Sequence, residues 1–293
     1  MTGGLATIVT RLAEKGKTKI RGGDKMVKKI VGLDFNALYL ESMCNYDMPT
    51  GYCDHWKGVK QTQLSIDGEE ERQGDVFKLL CNSATKIITP DCFEVQMRKE
   101  KVEFNLPMQI GLSVYAYAKL KVLRFIYEVE QPYIPRQCYE FLESDTDSIY
   151  LAICENSLRE CVPPEKMAEF ERIEKEWFVL SNDQLRTPGL LKVEAEGVAF
   201  VGLSAKCYYV LKDESGDGKF SAKGVQARNR DILTFKNDYD ILHGGGNGTA
   251  FNIGIRPIDG KVFSYIRAKS GLTRLYSKRV CYPDHFRTSP LEI

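Results

Sequence analysis

Ser144-Asp145-Thr146-Asp147-Ser148 sets two carboxylates two residues apart, between the β-type runs Cys138–Leu142 and Ile149–Cys154. Side chains alternate along a strand with a period of two, so Asp145 and Asp147 at a strand end point the same way. Two converging carboxylates suit a hard, oxygen-seeking cation such as Mg2+. Asp, Ser and Thr are also ordinary turn formers, and taken alone a plain turn is the simpler account. The later ligands and central glycine of an EF-hand Ca2+ loop are missing. A third carboxylate stands in Gly32-Leu33-Asp34-Phe35-Asn36-Ala37-Leu38-Tyr39, where a β-type run, Val27–Leu33, passes into helical spacing over Asn36–Tyr46. There the backbone N–H groups from Phe35 to Tyr39 would sit at a helix N-terminus, which favours a triphosphate. Asp34 or Asn36 acting as a helix cap is the alternative, and Tyr39 by itself reads as core. Phosphoryl transfer by two metals needs carboxylates from separate elements, and Asp34 with Asp145 and Asp147 is such a set.

The elements around these residues read as α+β, because strands and helices do not alternate regularly. Residues 1–26 are basic and weakly periodic and read as a tail or linker. Met48-Pro49-Thr50-Gly51 stops the first helix, residues 52–75 read as a polar loop, and Asp75–Ser83 as a short helix. Leu106–Glu130 reads as one long, mostly buried helix, with Ile110, Val114, Tyr117 and Leu120 at helical spacing. Pro163-Pro164 opens an amphipathic helix through Leu180. Leu190–Lys212 is strand-rich, a helix is expected near Arg228–Leu242, and Phe251–Arg256 with Lys261–Ile266 flank a hairpin turn.

Composition bounds the chemistry. The chain has 293 residues, 43% hydrophobic and 28% charged, which excludes collagen, coiled coil and global disorder. Its longest uncharged stretches, Phe104–Ala118 and Ile241–Ile255, are 15 residues long, short of the roughly 20 a spanning helix needs. No membrane partner and no signal peptide are expected. Nine cysteines without a C-x-x-C pair, and three scattered histidines, argue against zinc and for a reducing, intracellular setting, nuclear or cytoplasmic. The net charge of +1 hides an asymmetry, since residues 1–187 carry 25 basic and 29 acidic side chains and residues 188–293 carry 16 and 11. A polyanion bound near a carboxylate centre fits that separation, and so do ordinary solvated faces.

In this order the motifs resemble the palm of family B DNA polymerases, of the protein-primed branch found in viruses and Maverick/Polinton mobile elements. Asp34-Phe35-Asn36-Ala37-Leu38-Tyr39 is similar to that family's first motif, Ser144-Asp145-Thr146-Asp147-Ser148 to its third, and Lys206-Cys207-Tyr208 to its K-x-Y motif. Connecting segments such as Leu106-Pro107-Met108-Gln109-Ile110-Gly111 and Thr187-Pro188-Gly189-Leu190-Leu191-Lys192 resemble the mobile-element members. The resemblance implies a DNA-templated DNA polymerase with two Mg2+ ions, dNTPs, a DNA primer-template and a priming protein as partners. It implies Asp34 and Asp147 as principal metal ligands and Asp145 as a supporting one. Tyr39 would lie under the incoming sugar and reject a 2′-hydroxyl, while Lys206 and Tyr208 would hold the primer end. The domains implied are a palm over 27–212 with a reduced fingers insertion at about 75–130, and a thumb-like region over 213–293.

The second motif departs from the family pattern. Lys78 and Asn82-Ser83 match K-x-x-x-N-S-x-Y-G on the fingers helix, with Lys78 toward the triphosphate and Asn82 toward the nucleotide. Ala84-Thr85-Lys86 follows where Tyr-Gly is expected. A catalytically inactive remnant that still binds nucleic acid is therefore one alternative. A metal-dependent D-x-D glycosyltransferase is another, which would show βαβ alternation ahead of its D-x-D.

Overall fold

The computed structural model describes residues 5–49, 82–89, 92–97 and 108–291. In chain order its elements are β1 (Ala6–Ile8), β2 (Leu12–Glu14), β3 (Lys29–Phe35), α1 (Leu38–Asn45), β4 (Asn82–Thr89), β5 (Cys92–Met97) and α2 (Met108–Arg124). Then follow β6 (Tyr139–Asp145), β7 (Ser148–Ile153), α3 (Pro164–Trp177), β8 (Leu191–Gly197), β9 (Ala199–Ser204), β10 (Cys207–Leu211) and β11 (Gly218–Ala222). The chain ends with α4 (Phe235–Leu242), β12 (Gly248–Ile258), β13 (Lys261–Leu272), β14 (Val280–Cys281) and β15 (Thr288–Ser289).

The chain divides into two compact units, Met1–Met48 with Leu112–Ile293, and Pro49–Gly111. The first is built on a five-stranded sheet, β1-β6-β7-β3-β8, antiparallel throughout. Its central strands are covered on both faces, so β7 is buried at every residue and β3 reads as a nearly continuous apolar run. One close approach there requires glycine: a Cβ on Gly32 would lie 2.4 Å from the ring of its cross-strand neighbour Tyr150. The sheet packs on Val122, Phe125 and Val129, with Phe35, Phe125 and Trp177 meeting ring to ring at 5.9–6.3 Å. The long helix is less buried than its composition suggests. Val114, Ala118 and Val122 form its buried stripe, Leu112, Tyr115 and Leu120 face outward, and a π-helical turn at Phe125–Glu130 brings Phe125, Val129 and Glu130 inward.

A second antiparallel sheet, β11-β10-β9-β2, sorts its side chains by the period of two. Phe200, Tyr208 and Val210 join the main core, whereas Val201, Leu203, Cys207 and Tyr209 pack with Ile241 and Leu242 of α4. The N-terminal segment is thus not a tail, because β1 pairs with β6 and β2 with β9. Its basic residue Arg11 is fully buried and donates to the carbonyls of Gly202 (3.1 Å), Leu203 (2.7 Å), Arg274 (2.8 Å) and His285 (3.3 Å). The C-terminal region is likewise not set apart. Thr288 Oγ1 donates to the Ile8 carbonyl at 2.7 Å, and the Arg11 N–H donates to the Phe286 carbonyl at 2.7 Å.

The hairpin of β12 and β13 is longer than its sequence suggests, and its two faces differ. Cross-strand pairing puts Arg256, Lys261, Arg267 and Lys269 on one face with Phe263 and Tyr265. Phe251, Ile253, Ile255, Val262 and Ile266, with no charged residue among them, occupy the other. In the second unit, β4 and β5 form an antiparallel hairpin. Asn82 and Ser83 are therefore strand residues rather than the end of a helix. Lys78 and the rest of Asp75–Ser83 lie outside the described residues. No helix among the described residues is long and apolar enough to cross a membrane.

Candidate functional site

Asp34 lies one residue before the end of β3, opposite Ser148, the first residue of β7. The Phe35 N–H donates to the Asp147 carbonyl at 2.9 Å, which fixes Asp147 beside Asp34 where the two central strands end. Between β6 and β7 only Thr146 and Asp147 remain, a two-residue turn with Asp145 paired to Ser148. Carboxylates from distant parts of the sequence thus meet because two buried, apolar strands hold their register. Burial first, then the charge of Asp34, pushes the Asp147 carboxyl above its ordinary pKa, with Asp145 adding to the effect.

Cations answer two of the three acids. Lys192, the cross-strand neighbour of Asp34 on β8, places its ammonium 3.1 Å from Asp34 Oδ2. Ser148 Oγ donates to Asp34 Oδ1 at 3.0 Å. Lys206 Nζ pairs with Asp145 and donates to Thr146 Oγ1 at 3.2 Å. Among the described residues no cation pairs with Asp147. No group of three or more His, Cys, Asp or Glu is gathered as a metal-ligand set among those residues. Asp34 and Asp147 remain adjacent where the two strands end.

The backbone is strained around these side chains. Five non-glycine residues among those described have positive φ, and three of them, Ala37 (41°), Thr146 (65°) and Lys206 (64°), carry or adjoin the motif residues. Such conformations cost about 1–3 kcal/mol and persist where surrounding structure over-determines them. Ala37 turns the chain from β3 into α1, which starts without a side-chain cap, leaving the first-turn amides without acceptors inside the helix. The expected cradle is narrower than Phe35 to Tyr39, because Phe35 N–H is bound to Asp147 and Asn36 N–H to the Leu190 carbonyl at 2.9 Å. Phe35 and Leu38 are core side chains. Tyr39 is 37% exposed and meets Tyr115 edge-on at 5.3 Å. Its hydroxyl pKa is raised by burial, then by Tyr115 and Asp147, which puts the phenol within the field of the acidic cluster.

Among solved structures the chain is similar to Phi29 DNA polymerase complexed with primer-template DNA and incoming nucleotide substrates, with TM-score 0.45 and 10% identity over 90% of this chain and 60% of that one. The Phi29 DNA polymerase binary complex with primer-template DNA gives TM-score 0.44 and 10% identity over 89% and 60%. The family B DNA polymerase of the hyperthermophilic archaeon Pyrobaculum calidifontis gives 0.37 and 12% over 81% and 31%. The chain thus spans less than two thirds of these polymerases. No protein-family model matches it, and no curated protein matches it.

Of the two residues expected to hold a primer, Lys206 is at the site and Tyr208 is not. The Lys206 N–H donates to Glu143 Oε1 at 2.9 Å, and its carbonyl accepts from the Lys223 N–H at 3.0 Å and Ser221 Oγ at 3.1 Å. Tyr208 is buried, and its hydroxyl donates to Tyr150 Oη at 2.8 Å, which donates to Glu194 at 3.4 Å. That phenol makes a hydrogen bond inside the core and is not presented to a primer. Sequence reasoning missed Lys192 as a partner of Asp34, and Glu143, the buried carboxyl that receives the Lys206 amide. Burial raises the Glu143 carboxyl well above its usual range. Both roles depend on strand register, which no motif spacing reveals.

Proposed function

We propose that the chain is a nucleotidyltransferase of the DNA polymerase type, with the Asp34–Asp147 pair at its reaction centre. The observation that supports this reading is the placement of Asp34 beside Asp147 at the ends of β3 and β7, where burial and then the charge of Asp34 raise the Asp147 carboxyl. Asp34 and Asp147 would hold Mg2+, with Asp145 supporting from the far side of the turn. The ions, when bound, would supply Lewis-acid stabilisation of the attacking and leaving oxygens. The residues of this chain do the positioning. Open amides at the start of α1 would receive an anionic phosphate group, Tyr39 would stand beside it within the field of the acids, and Lys206 provides a cation next to Asp145. A primer hydroxyl attacking the α-phosphate of a dNTP, with pyrophosphate leaving, is the reaction this arrangement fits. The basic, aromatic face of the β12–β13 hairpin is suited to a nucleic-acid backbone, since Arg and Lys contact phosphate without reading sequence.

A second reading, a remnant that binds nucleotide and nucleic acid without extending a primer, is favoured by one observation: Asn82 lies in a strand, not on a helix. The glycosyltransferase alternative loses its footing, because the sheet carrying the acids is antiparallel throughout. Primer extension by the purified chain separates the first two. Slow, template-directed dNTP addition that needs Mg2+ and disappears in Asp34→Asn is the expected result. No incorporation under any divalent-metal condition would leave the remnant reading in its place.

A further inference from the structure

The acidic cluster is nearly neutralised from within. Asp34, Asp145 and Asp147 face two lysines, and the two are held differently. Lys206 sits in a tight turn at positive φ, with its amide on Glu143 and its ammonium on Asp145 and Thr146. Lys192 has no such fixing. It lies on β8, an edge strand, its side chain is 36% exposed, and its partner in the cluster is Asp34 Oδ2. Asp34 Oδ1 accepts from the neutral Ser148 hydroxyl, so both oxygens of the carboxylate are engaged. A divalent cation entering between Asp34 and Asp147 meets the Lys192 ammonium where it must bind. A hydroxyl can stay and turn, whereas a like charge must leave.

We propose that Lys192 is a built-in counter-ion that holds Asp34 in the metal-free protein and sets the divalent-cation affinity of the site by competing for it. The inference rests on the metal reading above and concerns how strongly that site binds. The long aliphatic stem and exposed position let the ammonium withdraw to water without disturbing the strand. Lys192 is thus a positioning residue acting through Asp34. Removing its charge should leave the acids more repulsive when empty and more receptive to a cation.

The test is Mn2+ titration of the full 293-residue chain, read by the EPR signal of free Mn2+. It compares the wild type with Lys192→Met, Lys192→Gln and Lys192→Arg, and Asp147→Asn defines the site-specific fraction. Thermal midpoints are read with and without Mg2+. The expected result is about tenfold tighter Mn2+ binding in the Met and Gln variants, near-wild-type affinity in Arg, and a lower metal-free midpoint that Mg2+ raises more than in the wild type. Equal or weaker Mn2+ binding by both neutral variants overturns the counter-ion role while leaving the metal site in place. Absence of site-specific Mn2+ binding in the wild type and both neutral variants overturns the metal reading and this inference together. A purely structural lysine would lower the midpoint without tightening Mn2+.

Discussion

Arg11 is a buried cation held by carbonyl oxygens rather than by a carboxylate, and it ties β9 to two segments of the C-terminal region. Replacing it by Met would leave those carbonyls buried and unpaired, each at a cost of about 1–3 kcal/mol. Arg11→Met should therefore lower stability by about 3 kcal/mol or more, seen as a fall in the urea midpoint with unchanged m. Asp238 on α4 is buried, its Oδ1 has no hydrogen-bond partner among the described residues, and burial pushes its carboxyl up to about 7. The folded state then holds the proton more tightly than the unfolded chain. The stability contributed is complete below pH of about 4 and lost as pH rises to about 7, by roughly 1.4 kcal/mol per pH unit within that window. Asp238→Asn should flatten this decline, leaving the variant more stable than the wild type at pH 8. A steeper decline in the variant would contradict it. None of this was legible in the sequence, where Arg11 counted as one more charge in a basic segment and Asp238 as one polar residue of a helix.

At the scale of elements, the strands and helices that carry the motifs were legible because their signals are local. A short apolar run before Asp34, a D-x-D between two β-type runs, and Pro163-Pro164 ahead of an apolar stripe all became the expected elements. Two strands of three residues each were not, since β1 and β2 exist only through pairing with β6 and β9. The extra length of β12 and β13 escaped because the outer part of that hairpin is exposed on both faces and lacks a burial pattern. The junctions between elements yield a prediction. Ala37 caps α1 in a left-handed conformation, where glycine is favoured and alanine is a poor cap. Ala37→Gly should raise stability by roughly 1 kcal/mol, and Thr146→Gly should raise rather than lower the thermal midpoint. A loss of stability in both would mean that the strain assigned to these turns is absent.

Across the whole molecule, acids gather at one end of the central strands and four cations line one face of a hairpin. If that face tracks a nucleic-acid backbone, neutralising Arg256, Lys261, Arg267 and Lys269 to Gln should reduce the dependence of log K on log salt by about 2–4 for duplex DNA. An unchanged slope would remove the hairpin from the interface. The antiparallel sheets agree with an α+β reading of the sequence, and the motif spacing points to Asp34 and Asp147 without giving their geometry. What no motif could show is that Asp145 is occupied by Lys206, that Tyr208 is turned into the core, and that Asp34 already has a cation. The central claim is that Asp34 and Asp147 together bind a divalent metal and, through it, a nucleotide. The measurement that tests it most directly is calorimetric dNTP binding with Mg2+ and with EDTA, in the wild type and Asp147→Ala. Binding that requires Mg2+ and vanishes in Asp147→Ala is the result predicted, and dNTP binding that persists in EDTA or survives the substitution would contradict it.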